Sequence, residues 1–323
     1  LVKIGNLKIS EFPILLAPME DVSDPPFRYL CKKFGADITY TEFISSEGLI
    51  RDAAKSLKKL DFSESERPIG IQIFGHNAES MVKAAEYAER AKPDIIDINW
   101  GCPVKKVIAK GAGAGMLRDI PKMLAITSEV VKSTKLPVTV KTRLGWDENS
   151  KNIVEVAEKL QDIGIEALSI HARTKVQGYK GKADWTLIGE IKKNPRMKIP
   201  VFGNGDILSP EIAKYFKETY NVDGLMIGRG SYGNPWIFKQ IKHYLNTGEI
   251  LPQPDINERV NICKKHLEKS IEWKGDRRGI FEMRKHYRSY FKAYPNFKQF
   301  RIKLVTIENK DELYSVFDEI LIS

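Results

Sequence analysis

Among the residues whose type and setting could do chemistry, the cysteine in Asn99-Trp100-Gly101-Cys102-Pro103 comes first. Gly101 and Pro103 shape the backbone so that the thiol can face outward, and a thiol near cations shifts its pKa and can serve as acid, base or nucleophile. Cations are close at hand, because Lys141, Arg143, His171, Arg173 and Arg229 each end a short apolar run. Lys141 follows Val138-Thr139-Val140, where an unpaired buried ammonium would be costly, so a bound anion is its expected partner. Gly203 and Gly205 in one run, and Gly228 and Gly230 in the next, let backbone N–H groups close on an anion, with Arg229 adding charge. Singly, such glycines do no more than shape turns; their recurrence at two adjacent strand ends favours a phosphate. Met19, Gln72, Asn99 and Asn204 end further runs, and the amides offer donors and acceptors to a heteroaromatic ring. The inventory outlines a mononucleotide-sized cofactor with a thiol beside it.

Elements must bring these residues together. Eight apolar or β-branched runs, from Ile14 to the one that starts at Gly224, recur about every 30 residues with helix-patterned stretches such as 79–90 and 152–161 between them. Eight βα units in this length predict a closed (β/α)8 TIM barrel, whose active site lies at the carboxyl ends of the strands, where every residue above falls. No GxGxxG turn follows the first run, and the glycine-rich 111–115 lies in the connection after the fourth, so it reads as a hinge or ordered loop. Residues 3–9, with Gly5-Asn6 as turn, read as a small hairpin across the barrel floor. After Trp236 the strand signal stops, and 247–255 carries linker punctuation. The division expected is a barrel over 1–246 and a C-terminal all-helical domain over 247–323, with three or four helices and a break at Pro295.

Cys31, Cys102 and Cys263 form no CxxC pair, which fits a reducing, cytoplasmic setting; Cys31 and Cys263 read as small buried hydrophobes. No metal-ligand spacing appears, no stretch nears the ~20 apolar residues of a membrane span, and no obligate protein partner is evident. The net charge of +10 implies an anionic partner. Between Lys264 and Lys303 thirteen Lys and Arg face four Asp and Glu, so nearly the whole excess falls in the tail. There Arg284, Lys285, Arg288 and Lys292 interleave with Tyr287, Tyr290 and Phe291, a pattern for nucleic acid. The plainer reading is an amphipathic bundle with a charged outer face.

The stretches APM, DINWGCP, VTVKTRLGW, SIHARTKVQGY, FGNGDI and MIGRGSYGNPWIF resemble, in order, the motifs of the tRNA-dihydrouridine synthases, and MRKHYRSYF resembles the C-terminal domain of their bacterial B-type branch. The resemblance implies FMN, reduced by NADPH, with hydride passing from flavin N5 to C6 of a D-loop uridine in tRNA. It implies Cys102 as the acid that protonates C5. Flavin contacts carried over are Pro18, Met19, Glu20, Gln72, Lys141, His171, Asn204, Gly205, Asp206, Gly228 and Arg229, while Asn99, Arg143 and Arg173 fall near the ring or the uracil. Glu20 departs from the small residue usual after APM, so its backbone is the contact carried over. A base buried in a tRNA fold must swing out to reach a barrel mouth, which suits a basic surface beside it. Two rival readings remain: an FMN barrel acting on a free pyrimidine or other small enone, and an RNA-binding protein with a vestigial site. The first leaves the basic tail unexplained, and the second leaves Cys102, Lys141, His171 and Arg229 without purpose.

Overall fold

A computed structural model describes every residue except Ala293, Asn296 and Ser323. Eight parallel strands form the barrel: β1 (Ile14–Leu16), β2 (Thr39–Tyr40), β3 (Ile69–Phe74), β4 (Ile95–Asn99), β5 (Val138–Arg143), β6 (Ala167–His171), β7 (Val201–Asn204) and β8 (Gly224–Ile227). A short extension of β2, Ile44–Ser45, also pairs with β3. β8 pairs with β1, and the ring closes where Leu16 N–H donates to Ile38 O at 2.9 Å and Asp37 N–H to Ile14 O at 2.9 Å. All eight strands, and the alternation with helices, match the sequence expectation.

The period of two along each strand assigns the interior. Leu15, Tyr40, Ile95, Ala167, Phe202 and Met226 pack together at the bottom, and Ile4 of the hairpin (Lys3–Ile4 with Leu7–Lys8) joins them as a plug. One step higher in the same registers stand Gln72, Asp97 and Thr139, and above those Asn99, Lys141, His171 and Asn204. The floor is therefore apolar, and polarity begins where the chemistry does. Outward residues such as Ile14, Ile71, Ile96 and Val140 form the main core with the helices. The helix Ala78–Arg90 shows how: Asn77 caps it by accepting from Ser80 N–H, and it lays Met81, Ala84, Ala85 and Ala88 on the barrel.

The last barrel helix is Ile237–Thr247, and after the 248–255 connection four helices follow: Ile256–Lys274, Asp276–Tyr290, Phe297–Thr306 and Lys310–Ile322. They share a second core that includes Val260, Leu267, Met283, Tyr287, Tyr290, Phe300 and Phe317. Pro295 lies between two of them, as expected. The aromatic residues expected to face nucleic acid do not: Tyr287, Tyr290 and Phe291 are buried in this core, because spacings of three and four with Met283 put them on the inward face. The helical unit grips the barrel through Lys274, whose buried ammonium bonds the carboxylate of Asp24, the N-cap of helix Pro25–Lys33, and Glu282 Oε2 at 2.6 Å. The glycine-rich 111–115 is an ordered turn leading into a 3-10 helix, Gly113–Arg118.

Candidate active site

A chain of side-chain hydrogen bonds rises through the barrel to the cysteine. Asp97 accepts from Thr139 Oγ1 at 2.5 Å and from Gln72 Nε2 at 2.5 Å. Gln72 Oε1 accepts from Asn99 Nδ2 at 2.7 Å, and Asn99 Oδ1 accepts from the N–H groups of Gly101 at 2.9 Å and Cys102 at 2.8 Å. Both functional atoms of Gln72 are thus committed below the mouth, where it is fully buried. From the other sides, Arg143 Nε donates to Gly101 O at 2.7 Å and Ala114 N–H to Cys102 O at 3.1 Å. Gly113 lies so close to that loop that a Cβ would meet Cys102 O at 3.0 Å and Cys102 Cβ at 3.1 Å. Nothing in the sequence reading said how Cys102 is held; this network is the answer. Burial pushes Asp97 up to about 7, against the donors Thr139 and Gln72 and the charge of Lys141, which lower it.

Above this floor opens a cavity of about 350 Å³, within the range of small-molecule sites. Its wall brings together Pro18, Met19, Glu20, Asn99, Cys102, Lys141, Arg143, His171, Asn204, Gly205, Asp206, Gly228 and Arg229. Burial raises the Cys102 thiol above its ordinary value, outweighing Arg143 and Lys141, so at neutral pH it holds its proton. Burial, with Arg143 adding to it, lowers Lys141 to about 8. Its Nζ donates to Asn204 Oδ1 at 3.3 Å, and among the described residues no carboxylate pairs with it. His171 is pressed well below its usual range by burial and by the surrounding Arg143 and Lys141, so the ring is neutral. Arg173 NH1, which can only donate, lies 3.4 Å from Nε2 and leaves the ring proton on Nδ1.

The turns after β7 and β8 present free donors to the cavity. Among the described residues the N–H groups of Gly205, Asp206, Gly228 and Arg229 have no protein acceptor. Gly205 takes φ +130°, where a Cβ would also meet Ala183 Cβ at 3.0 Å, so only glycine fits. Asp206 ties the turns to the β6 loop, accepting from Arg173 NH2 at 2.7 Å, Ala183 N–H at 2.8 Å and Arg229 NH2 at 3.2 Å. Free donors at the two turns and an unpaired buried ammonium fit the flavin mononucleotide that the resemblance implies.

Arg173 is buried in the loop after β6 and outside the cavity wall, bound to Asp206 and to Gly181 O at 2.6 Å. Arg143 reaches the wall and donates to Thr174 O at 3.1 Å and Gly178 O at 3.0 Å. The two arginines thereby shape 174–182, which carries Tyr179 to the cavity, its ring 5.6 Å from the Arg143 guanidinium and 4.9 Å from that of Arg229. Glu20 bonds Lys59 at 2.6 Å, and Lys59 also faces Glu42 at 3.7 Å. Sequence reasoning missed Asp97, Thr139 and Tyr179. Strand parity with Asn99 and Lys141 was signal enough for the first two; Tyr179 depends on loop shape. Arg284, Lys285 and Arg288 lie far along the chain on helix Asp276–Tyr290. Lys285 and Arg288 are exposed, whereas Arg284 turns to Ile307 O at 3.3 Å and Glu308 Oε1 at 3.7 Å.

Fold and site define a class: a parallel β/α barrel whose mouth joins two turns of free backbone N–H donors to a cysteine thiol. The barrel is similar to that of morphinone reductase in complex with tetrahydroNAD, with TM-score 0.56 at 13% identity over 80% of this chain and 92% of that one. The dihydrouridine synthase family model matches residues 15–322. Curated relatives include tRNA-dihydrouridine synthase B of Pseudomonas putida, 42% identical over 95% of this chain and 90% of that protein, and that of Shewanella oneidensis, 39% identical over 99% of each. The chain belongs to the dihydrouridine synthase family.

Proposed function

We propose that the barrel, residues 1–246, binds FMN and receives a uridine of the tRNA D loop, that NADPH is the reductant, and that Cys102 is the acid. Family membership makes the chain a flavin-dependent oxidoreductase that reduces a carbon–carbon bond of uridine in tRNA. Bound flavin supplies the hydride that enters C6, chemistry no side chain can provide. Everything else falls to the protein. Lys141, His171 and Asn204, with Pro18, Met19 and the backbone of Glu20, hold the ring, and the turns at Gly205, Asp206, Gly228 and Arg229 hold the phosphate. Gln72 serves from beneath through Asn99. Cys102 carries its proton to C5 from the face opposite the hydride, and solvent restores it.

The observation that carries the reading is a protonated thiol fixed by its backbone on the wall of the same cavity as the cradle. A thiol held above its ordinary pKa is a poor nucleophile at neutral pH and keeps the proton that an acid must give. Arg143 and Asn99 border the space left for the uracil; Arg173 supports it through 174–182. The helical unit, 247–323, offers Lys285 and Arg288 to the RNA backbone, with Arg284 bracing its helix. A cytoplasmic enzyme suits three free, buried cysteines. No helix among the described residues is long and apolar enough to cross a membrane.

The test is to incubate FMN-loaded protein and NADPH with unmodified tRNA and to map dihydrouridine. Reduced D-loop positions together with NADPH consumption support the reading. A flavin-loaded protein that reduces free uracil or a small enone and leaves tRNA untouched would replace it with the small-substrate alternative.

A further inference from the structure

Among the described residues, the charge that remains free in this fold is not confined to where the sequence count puts it: exposed Arg277, Lys285, Arg288 and Arg301 stay free in the tail, and a second group lies elsewhere. In the basic tail many cations are spent on neighbours: Lys264 on Asp318, Lys265 on Glu268, Lys269 on Glu272, Lys274 on Asp24 and Glu282, and Arg278 on Glu282. A second basic arc lies on the loops after β4, β5 and β6. Its centre is Trp146, against whose ring lie the Arg118 guanidinium at 3.5 Å and Lys175 Nζ at 4.2 Å. The three residues come from three successive loops. Val176 N–H donates to Trp146 O at 2.9 Å and Lys175 N–H to Gly145 O at 3.0 Å, so the arrangement is braced by backbone as well. Among the described residues neither Arg118 nor Lys175 has a carboxylate partner, and the same holds for the exposed Lys105, Lys106 and Lys110 just after Cys102.

The position of this arc gives it meaning. In a closed ring of eight strands, β4 and β5 stand across from β8 and β1. The helical unit is anchored on the β8 and β1 side, through Trp236 and the helix Pro25–Lys33. The cavity with Cys102 therefore lies between two basic surfaces. An RNA strand whose base enters that cavity has backbone running out on both sides of it, and the helical unit meets only one.

We infer that Arg118 and Lys175, held against Trp146 and without carboxylate partners, form a second RNA-docking surface that takes phosphates of the strand leaving the mouth away from the helical domain. The inference rests on the proposed tRNA substrate. Trp146 holds the two cations with little freedom left to lose, which makes each phosphate contact less costly in entropy. Arg118 also ends the 3-10 helix Gly113–Arg118, which abuts the Cys102 loop through Ala114, so phosphate capture at the rim and the thiol share one loop.

The experiment is the salt dependence of tRNA binding by flavin-loaded protein, between about 50 and 200 mM KCl. Each lost phosphate contact flattens the slope of log K against log salt by about 0.7 to 0.9. Arg118→Gln and Lys175→Gln should each flatten it by about that amount and weaken binding severalfold at low salt, while Arg118→Lys and Lys175→Arg keep the wild-type slope. If these two loops are only braced by the cations, the Gln variants lower the melting temperature and leave the slope as it was. That outcome, or Gln variants indistinguishable from wild type, overturns the inference while leaving the proposed function standing. Wild-type protein that binds flavin but no tRNA would instead overturn the proposed function itself.

Discussion

Asn99→Ala tests whether the buried chain of amides sets the position of the acid. The change deletes the acceptor of two backbone N–H groups, Gly101 at 2.9 Å and Cys102 at 2.8 Å. At a net ~1 kcal/mol per hydrogen bond, the loop loses about 2 kcal/mol of positional restraint, or roughly thirtyfold in a step that depends on where the thiol sits. The loop does not detach, because Arg143 Nε still holds Gly101 O at 2.7 Å and Ala114 N–H holds Cys102 O at 3.1 Å. The assay separates the two half-reactions. Flavin bleaching by NADPH does not use the thiol and should stay within about twofold of wild type, while single-turnover dihydrouridine formation on tRNA falls about thirtyfold. Asn99→Asp keeps the Oδ1 acceptor of both N–H groups but sets a second carboxylate oxygen against Gln72 Oε1, where Nδ2 donated, so it should recover only part of the loss. Equal loss in both half-reactions, or a raised KM for tRNA with kcat unchanged, would refute the positioning argument.

Asp97 is an acid whose folded pKa is raised, to about 7, so its contribution to stability is complete below its unfolded value near 3.8 and is lost as pH rises through about 7. Wild type should lose stability between about pH 4 and 7 relative to Asp97→Asn and level off above that, as read by denaturant midpoints; parallel profiles would contradict this. Lys141, lowered to about 8, sheds its charge above that pH, so the affinity of flavin-free protein for FMN should fall from pH 7.5 to 9.5, and Lys141→Arg should flatten the fall. A pH-independent affinity over that span would remove Lys141 from the flavin site. Lys274→Ala leaves Asp24 buried without its cation and should cost about 3 kcal/mol in chemical denaturation, because breaking a buried pair strands the partner charge. A loss under about 1 kcal/mol would mean that water repairs the gap.

Most of the barrel was legible because its signals are local: β-branched runs at regular spacing, and polar residues at their ends. The mouth followed for the same reason, since any residue ending a barrel strand points to one place. What escaped depends on partners far apart in the chain. Gln72 has the right position for a cofactor contact, yet Asp97 and Asn99, each more than twenty residues away, claim its amide. Arg173 looked equivalent to Arg143, but Asp206 and the 180–181 carbonyls hold it off the cavity wall. Tyr287 and Tyr290 stand beside Arg288 in the sequence, and only helical periodicity against the other tail helices separates inward rings from outward charge. Counting charge located an excess in the tail, but ion pairing decides how much of it is free to meet RNA.

In the proposed function the thiol of Cys102 on the cavity wall gives the proton that completes the reduction. Cys102→Ala removes the sulfur and leaves the cradle at Gly205, Asp206, Gly228 and Arg229 in place. Pre-reduced variant mixed with tRNA in a single turnover should retain its full complement of flavin and form dihydrouridine at least about a hundredfold more slowly than wild type, the range for losing a general acid. Dihydrouridine formed at the wild-type rate would contradict the account.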